Sequence, residues 1–478
     1  MTTSSQTLTL PQAIRLAADY FNTGELQTAE KICRQVLQAQ PENSGALYIL
    51  ALIAIQVEND EAAIALLQKA ISSNPSVPDY YGNLGNLFKK QGQFAQTIHC
   101  YQQVLALQPN SIKAYNNLGN VFKAQNQLVE AKINFQRAIA LKPDWPKAHF
   151  GYAVTLLKSG DFIAGWQEYE WRFRDTEIKK IPQLKHPLWD GSPLEGRRLL
   201  VHWEQGFGDT LQFIRYLYLI KGGTLIFAGQ PQLKQLLESL PCLDIFRVNP
   251  FDEEPDIAYD VWMPLLSLPK LFGTTLETIP NQIPYLSPDA QTVETWQTQL
   301  AAYTGFKIGI VWAGSPTHAN DRNRSCTLMD FAPLAKMPNV VLFSLQTGEA
   351  TTQPLQEDME MISLTKSLKD FSDTAAAIAA LDLIISVDTA IVHLAGAMGQ
   401  NVWVLLAFDS DWRWLTERHD SPWYSTMRLF RQTAFGNWGS VFDQVISAFE
   451  NAFVPSNKKN NAKDAKDAKD AKERFLPF

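Results

Sequence analysis

The sequence predicts an α plus α/β protein: an N-terminal α-solenoid of paired helices followed by two doubly wound α/β halves. Three observations predict it. Pro41, Pro75, Pro109 and Pro143 stand 34 residues apart, and a fixed period of that length marks stacked helix pairs. From about residue 180 the pattern changes to short apolar runs broken by glycine-rich turns and amphipathic helices, which is how parallel α/β layers read. The chain has 478 residues, 46% of them hydrophobic and 19% charged, too long for one core and apolar enough to bury several.

The repeats come first. Aligned on the prolines, Tyr81, Leu84, Gly85, Phe88, Tyr101 and Pro109 return as Tyr115, Leu118, Gly119, Phe122, Phe135 and Pro143. Leu16, Ala17, Tyr20, Ala29 and Pro41 fall in the same phase, as do Leu50, Ala51, Ala54, Ala63 and Pro75. Four complete repeats follow, and a fifth begins at Tyr152, Ala153 and Leu156, runs past Gly160 and loses the pattern after Tyr169. Small residues such as Gly85 and Ala63 let paired helices approach, large ones such as Tyr81 and Phe135 fill the gap, and proline ends each second helix. The pattern resembles the tetratricopeptide repeat. Such an array implies a concave surface that holds a peptide or another protein, or makes a homo-oligomer contact.

The formal net charge is −7 with no long basic block, which argues against a nucleic-acid or anionic-membrane partner. Cys33, Cys100, Cys242 and Cys326 are far apart and form no paired spacing, so neither a zinc site nor a disulfide framework is expected and a reducing cytoplasm fits. MTTSSQTLTL lacks the basic and apolar regions of a signal peptide. Leu383 to Phe408, the most apolar stretch, is interrupted by Asp388, His393 and Gln400 and reads as buried strands and a helix rather than a transmembrane segment.

In the second region, residues 198–203 and 225–228 read as strands, and 210–220 and 233–239 as helices. A second series of strands follows at 307–312, 340–344, 383–386 and 402–406, with 280–288 as the link. The expected division is a tail 1–10, repeats 11–175, a first Rossmann-like half 176–300 on the acceptor side, a second half 301–455 on the nucleotide side, and a charged tail 456–478. In open parallel sheets ligands bind beyond the carboxyl ends of the strands, and three such ends stand out. At Glu204–Gln212, Gly206 and Gly208 permit a tight turn and close backbone approach before Asp209 opens a helix, although Asp209 with Gln212 also reads as a helix-capping pair. At Gly314–Ser325, Arg322 and Arg324 can grip phosphate oxygens or pair with Asp321. At Ser386–Gly399 a strand runs into a helix whose amide end near Thr389 suits a diphosphate, with His393 on the same face as a ligand contact or a packed neutral ring.

Several of these segments, in order, resemble glycosyltransferase family 9, the ADP-heptose heptosyltransferases, and in particular its members with N-terminal tetratricopeptide repeats. They are Glu-Gln-Gly-x-Gly-Asp-Thr from 204, Val-Trp-Ala-Gly-Ser from 311, Asn-Asp-Arg-Asn-Arg-Ser from 320, Ser-Leu-Gln-x-Gly from 344 and Ser-Val-Asp-Thr-Ala-x-x-His-Leu-Ala-Gly-Ala from 386. Asp-Trp-Arg-Trp from 411 and Ser-Pro-Trp-Tyr-x-Thr-Met-Arg-Leu-Phe-Arg-Gln from 421 extend the likeness. The resemblance implies a GT-B fold and an inverting, metal-independent transfer from a nucleotide-diphosphate sugar, with no cofactor beyond that donor. It implies Asp209 as general base, Arg324 or Arg322 in place of a family lysine at the departing diphosphate, and Asp388, Thr389 and His393 near the donor's phosphates and sugar. Gln346 and Glu349 fall at nucleotide or ribose contacts. The arginine exchange leaves the donor open between an ADP-sugar and UDP-GlcNAc, and the acceptor between protein and glycan or lipid.

Asp409-Ser-Asp411 invites a metal reading, against which the family's metal-free chemistry weighs. Trp412, Trp414 and Trp423 read as packing between the halves rather than as stacking platforms. The tail Ala462–Lys472 repeats Ala-Lys-Asp with no apolar stripe, so it is expected to be exposed and without catalytic residues. Two other functions compete with the active transferase: a scaffold on a degenerate transferase domain, and a protein-modifying enzyme like the O-GlcNAc transferases, which share this architecture.

Overall fold

The structure, a computed structural model, describes residues 8–174, 184–250 and 253–453, apart from 319 and 358. The Ala-Lys-Asp tail and most of the N-terminal tail lie outside the described residues. Two compact units divide between Tyr152 and Ala153.

The first unit is built of helices in antiparallel pairs: α1 (Leu10–Asn22) with α2 (Leu26–Ala39), α3 (Ser44–Gln56) with α4 (Asp60–Ser73), α5 (Pro78–Lys90) with α6 (Phe94–Leu107), and α7 (Ile112–Ala124) with α8 (Leu128–Leu141). Each phased proline sits two residues beyond the end of α2, α4, α6 or α8, where its missing N–H and fixed φ stop the helix. The small-against-large logic is visible at Phe135, which is fully buried: a Cβ added at Gly119 would lie 2.9 Å from its ring, and one at Gly151 only 2.4 Å. At Gly85 a Cβ would meet Tyr101 at 3.1 Å, the same device one repeat earlier.

The fifth hairpin is α9 (Pro146–Lys158) and α10 (Phe162–Tyr169), turned at Gly160 with φ +85°. Its period fades because α10 serves another core. Phe162 stacks on Trp423, and Trp166 meets Phe213 and Trp412 edge-on, so the repeat positions give way to aromatic residues of the α/β body. The contacts of the chain therefore part inside α9 rather than near residue 175.

The second unit carries two parallel sheets. One joins β1 (Arg198–His202), β2 (Thr224–Gly229), β3 (Ile245–Val248) and β4 (Val261–Pro264) in the order β3-β2-β1-β4. The other joins β5 (Phe306–Val311), β6 (Val340–Ser344), β7 (Ile362–Ser363), β8 (Leu383–Val387), β9 (Val402–Leu406) and β10 (Met427–Arg431) in the order β10-β9-β8-β5-β6-β7. Both are parallel throughout, and their central strands are apolar and buried on both faces, as helix-covered sheets require. β3, β4, β7 and β10 were not among the expected strands. β3 and β7 are short edge strands and β4 ends in proline, so each lacks the long apolar run that betrays a central strand.

Strand order locates the crevice. In the first sheet the order reverses between β1 and β4, in the second between β5 and β8, and ligand crevices form beyond the carboxyl ends of strands at such switch points. The loops there begin at Trp203, Trp312 and Asp388. Among the described residues no helix is long and apolar enough to cross a membrane.

Candidate functional site

The switch-point loops line one cavity of about 1270 Å³ in the second unit. From the first sheet come Gln205, Gly206, Gly208 and Asp209; from the second come Gly314, Arg324, Gln346, Glu349, Asp388, Thr389 and His393. All the sequence-selected positions therefore reach one place except Arg322, which is exposed and off the cavity wall.

Asp209 does not open its helix. The helix α11 (Phe207–Phe213) starts two residues earlier, with Gly206 before it, and the Asp209 Oδ2 accepts the Gly206 N–H at 2.9 Å. The cap thus runs backwards from Asp209 to Gly206 rather than forwards to Gln212. Its other oxygen, Oδ1, accepts from Nη2 of Arg413, a residue without a role in the sequence reading although it lies in the Asp-Trp-Arg-Trp segment. Burial pushes the Asp209 carboxyl above its ordinary range against the opposing pull of Arg413.

Gly208 is needed for a protein contact. A Cβ there would lie 2.9 Å from Cδ2 of His393, so the missing side chain lets α11 close onto the helix Ala390–Ala397. His393 is buried, its Nδ1 lies 3.0 Å from the Tyr424 hydroxyl, and its ring stacks on Trp414 at 5.5 Å. Burial, reinforced by Arg413 and Arg215, drives its pKa well below the ordinary value and leaves it neutral. It therefore forms the packed floor of the cavity.

Asp388 lines the cavity, and its Oδ2 accepts Trp414 Nε1–H at 2.9 Å. Burial and the neighbouring Asp411 carboxylate push its pKa up to about 6. Thr389 caps the helix Ala390–Ala397, accepting from Ile391 N at 3.3 Å, so the positive helix end opens on the cavity wall.

Arg324 lines the cavity from the loop after β5. Its guanidinium packs over Gly314, where an added Cβ would sit 2.4 Å from Nη2, and its Nε lies 3.3 Å from Asp321. The pairing with Asp321 is therefore real, yet Arg324 still faces the cavity. His318 on the same loop also lines it, and accepts the Asn320 N–H on Nδ1 at 3.1 Å.

Gln346 departs from its expected role. Its Oε1 accepts from Trp312 N and Ala313 N at 3.1 and 2.9 Å, and its Nε2 donates to the Ala313 and Thr347 carbonyls at 3.0 and 2.9 Å. With four bonds its amide is saturated, so it clamps the end of β5 to the end of β6 and has nothing left for a nucleotide. Glu349 is exposed on the rim.

The two carboxylates of the Asp409-Ser-Asp411 segment serve different cations. Asp409 accepts from buried Lys158 Nζ at 2.8 Å, and Asp411 from Arg413 Nη1 at 2.9 Å. Trp412, Trp414 and Trp423 are buried, as packing requires. Glu204, which starts the glycine turn, is bound by Arg172 through Nε and Nη2 at 3.0 and 3.1 Å and by Leu266 N at 2.9 Å, and so anchors the turn to α10's continuation and to the segment after β4.

Tetratricopeptide-repeat families match residues 21–87, 85–126 and 112–144. Protein FlbA of Caulobacter vibrioides is 27% identical over 462 residues, covering 90% of this chain and 77% of that protein. A UDP-N-acetylglucosamine–peptide N-acetylglucosaminyltransferase of Caenorhabditis elegans is 36% identical over 85 residues, 18% of this chain and 7% of that enzyme. The solved structure of Pseudomonas aeruginosa PilF is 21% identical and superposes with a TM-score of 0.32 over 34% of this chain and 74% of that one. The N-terminal region of this chain is thus an array of tetratricopeptide repeats.

Proposed function

We propose that the chain is an inverting, metal-independent glycosyltransferase that moves a sugar from a nucleotide-diphosphate donor, an ADP-sugar or UDP-GlcNAc, to a hydroxyl acceptor. The repeats recruit the acceptor or a partner protein. One observation carries this reading: a single cavity holds the Asp209 carboxylate on the first sheet's side, and Arg324 with the positive end of the helix Ala390–Ala397 on the second's. A base and an anion seat facing one space are what displacement of a diphosphate needs.

In this reading the acceptor oxygen bonds to the anomeric carbon from the face opposite the diphosphate. Asp209 takes the hydroxyl proton. The bond from the anomeric carbon to the phosphate oxygen breaks, and Arg324 and the helix amides meet the charge that leaves. Glu349 stands at the rim for the ribose hydroxyls, and Asp388 beside Thr389 for the sugar. The engagement of Asp409 and Asp411 by Lys158 and Arg413 supports chemistry without a metal.

A thermal-shift panel of ADP-, UDP- and GDP-sugars tests the proposal. One donor is expected to raise the melting temperature, as any ligand selective for the folded state does. Asp209→Asn should keep that shift and abolish transfer. Silence across the panel would favour a scaffold, and full transfer by the variant would remove Asp209 as base. A shift with UDP-GlcNAc alone would favour a protein-modifying enzyme, the activity named for the Caenorhabditis elegans relative.

A further inference from the structure

Arg413 is the residue around which the cavity's charges are organised. Its guanidinium donates from Nη2 to Asp209 Oδ1, from Nε to Gln212 Oε1, and from Nη1 to Asp411 Oδ1 at 2.9 Å. Asp209 and Gln212 are three residues apart on α11 and so share a face. The planar fork therefore grips one helix face at two points while Asp411, on Arg413's own segment, holds it from behind. Asp411 also accepts the Arg413 backbone N–H at 3.0 Å. The flat guanidinium lies 4.6 Å from the centre of the Trp412 ring and 5.5 Å from that of the Phe213 ring, one on its own segment and one on α11.

The consequence for Asp209 is geometric. Gly206 N–H holds Oδ2 and the guanidinium holds Oδ1, so the carboxylate is fixed at both oxygens and cannot turn. A lysine carries one point of charge and cannot span Asp209 and Gln212 together. Among the described residues, the charged and titratable groups around Asp209 include Arg413 and Asp411 from the segment after β9, Tyr169 from α10, His318 from the loop after β5 and the neutral His393 from the helix packed on α11. Burial pushes the Tyr169 phenol up to about 12, and burial with Arg324 lowers His318, so both are neutral near pH 7 and Arg413 is the cation of this group.

We propose that Arg413 is the positioning residue of the transfer step, fixing the Asp209 carboxylate toward the acceptor hydroxyl and holding a cation against its Oδ1. This rests on the reading of Asp209 as the base.

Two substitutions separate geometry from charge: Arg413→Lys keeps the cation and loses the fork, and Arg413→Gln loses both. In the full chain, the ¹³C-aspartate resonance that disappears in Asp209→Asn reports the Asp209 titration without any turnover. Nucleoside diphosphate release from UDP-GlcNAc and from ADP-glucose, followed against pH, reports the reaction. Arg413→Gln should raise the Asp209 midpoint and the acidic limb of the rate profile together by about one pH unit or more. Arg413→Lys should leave both near the wild-type position, and either variant should lower plateau kcat by roughly 10- to 100-fold. A role in stability alone would lower the melting temperature and leave the midpoint where it was. An unmoved Asp209 midpoint in Arg413→Gln overturns the proposal, as does wild-type plateau kcat in Arg413→Lys, the variant to rely on if the glutamine chain does not fold. Failure of the wild-type chain to bind any donor of the ADP-, UDP- and GDP-sugar panel instead overturns the transferase reading beneath it, and this role with it.

Discussion

The Asp209 carboxylate and the Arg413 guanidinium form an ion pair in the cavity wall, although 204 positions separate them in the chain. The pair joins the glycine turn after β1 to the segment after β9, and it has a neutral counterpart in the contact of Gly208 with His393. Around these two contacts the properties of the site can be varied one at a time.

Gly208→Ala tests the closure. The new methyl would meet a His393 ring that Tyr424 and Trp414 prevent from moving, so a loss of about 1–3 kcal/mol is expected on urea unfolding. In a His393→Ala background the same change should cost much less, because the two sites are in contact. Equal costs in both backgrounds would mean that the methyl is accommodated elsewhere.

Asp388→Asn should reveal a pH-dependent burden. The folded carboxyl titrates near 6 against an ordinary 3.8, so the folded state favours the protonated form. Wild-type stability therefore falls as pH rises through that window and is level above it. The asparagine chain, which carries no such charge, should match the wild type near pH 4 and exceed it by on the order of 2 kcal/mol at pH 8. Melting curves at the two pH values measure this, and a gap that is the same at both would refute the assigned cause.

Gln346 and Glu349 should part company. Gln346→Ala strips partners from the buried Trp312 amide, the half-buried Ala313 amide and two carbonyls and should cost about 2–4 kcal/mol in denaturant unfolding. Glu349→Ala, on the exposed rim, should stay within about 0.5 kcal/mol of wild type while weakening donor binding in calorimetry. Reversed effects would restore Gln346 as a ligand contact.

The two arginines of the loop after β5 should also differ. Arg324→Ala removes a cation from the cavity wall and should weaken donor binding by roughly 10-fold or more. Arg322→Ala, outside the wall, should change it less than about twofold. Comparable losses at both positions would place the diphosphate elsewhere.

In the repeat unit, Phe135→Ala would empty the space that Gly119 and Gly151 leave for one ring. A loss of about 3–5 kcal/mol is expected, read from the far-ultraviolet circular dichroism of the full chain in denaturant. A cost below about 1 kcal/mol would mean that the helices collapse into the gap.

The sequence by itself determined the periodic and the local. A 34-residue proline period forces helix pairs because each proline stops a helix at the same phase, and apolar runs such as Leu383, Ile384 and Ile385 on β8 announce buried central strands. The glycine turn, the arginine loop and the strand-to-helix turn before Thr389 were also legible, since strand ends carry their own signals. Tertiary structure decided which of these residues share a space and what occupies their hydrogen bonds. Gln346 looks like a ligand contact until its four bonds are counted, and Gly208 like a phosphate turn until His393 stands against it. Arg413 stands in the Asp-Trp-Arg-Trp segment, but nothing there names its partner, because an ion pair depends on distance in space while the sequence records only order along the chain.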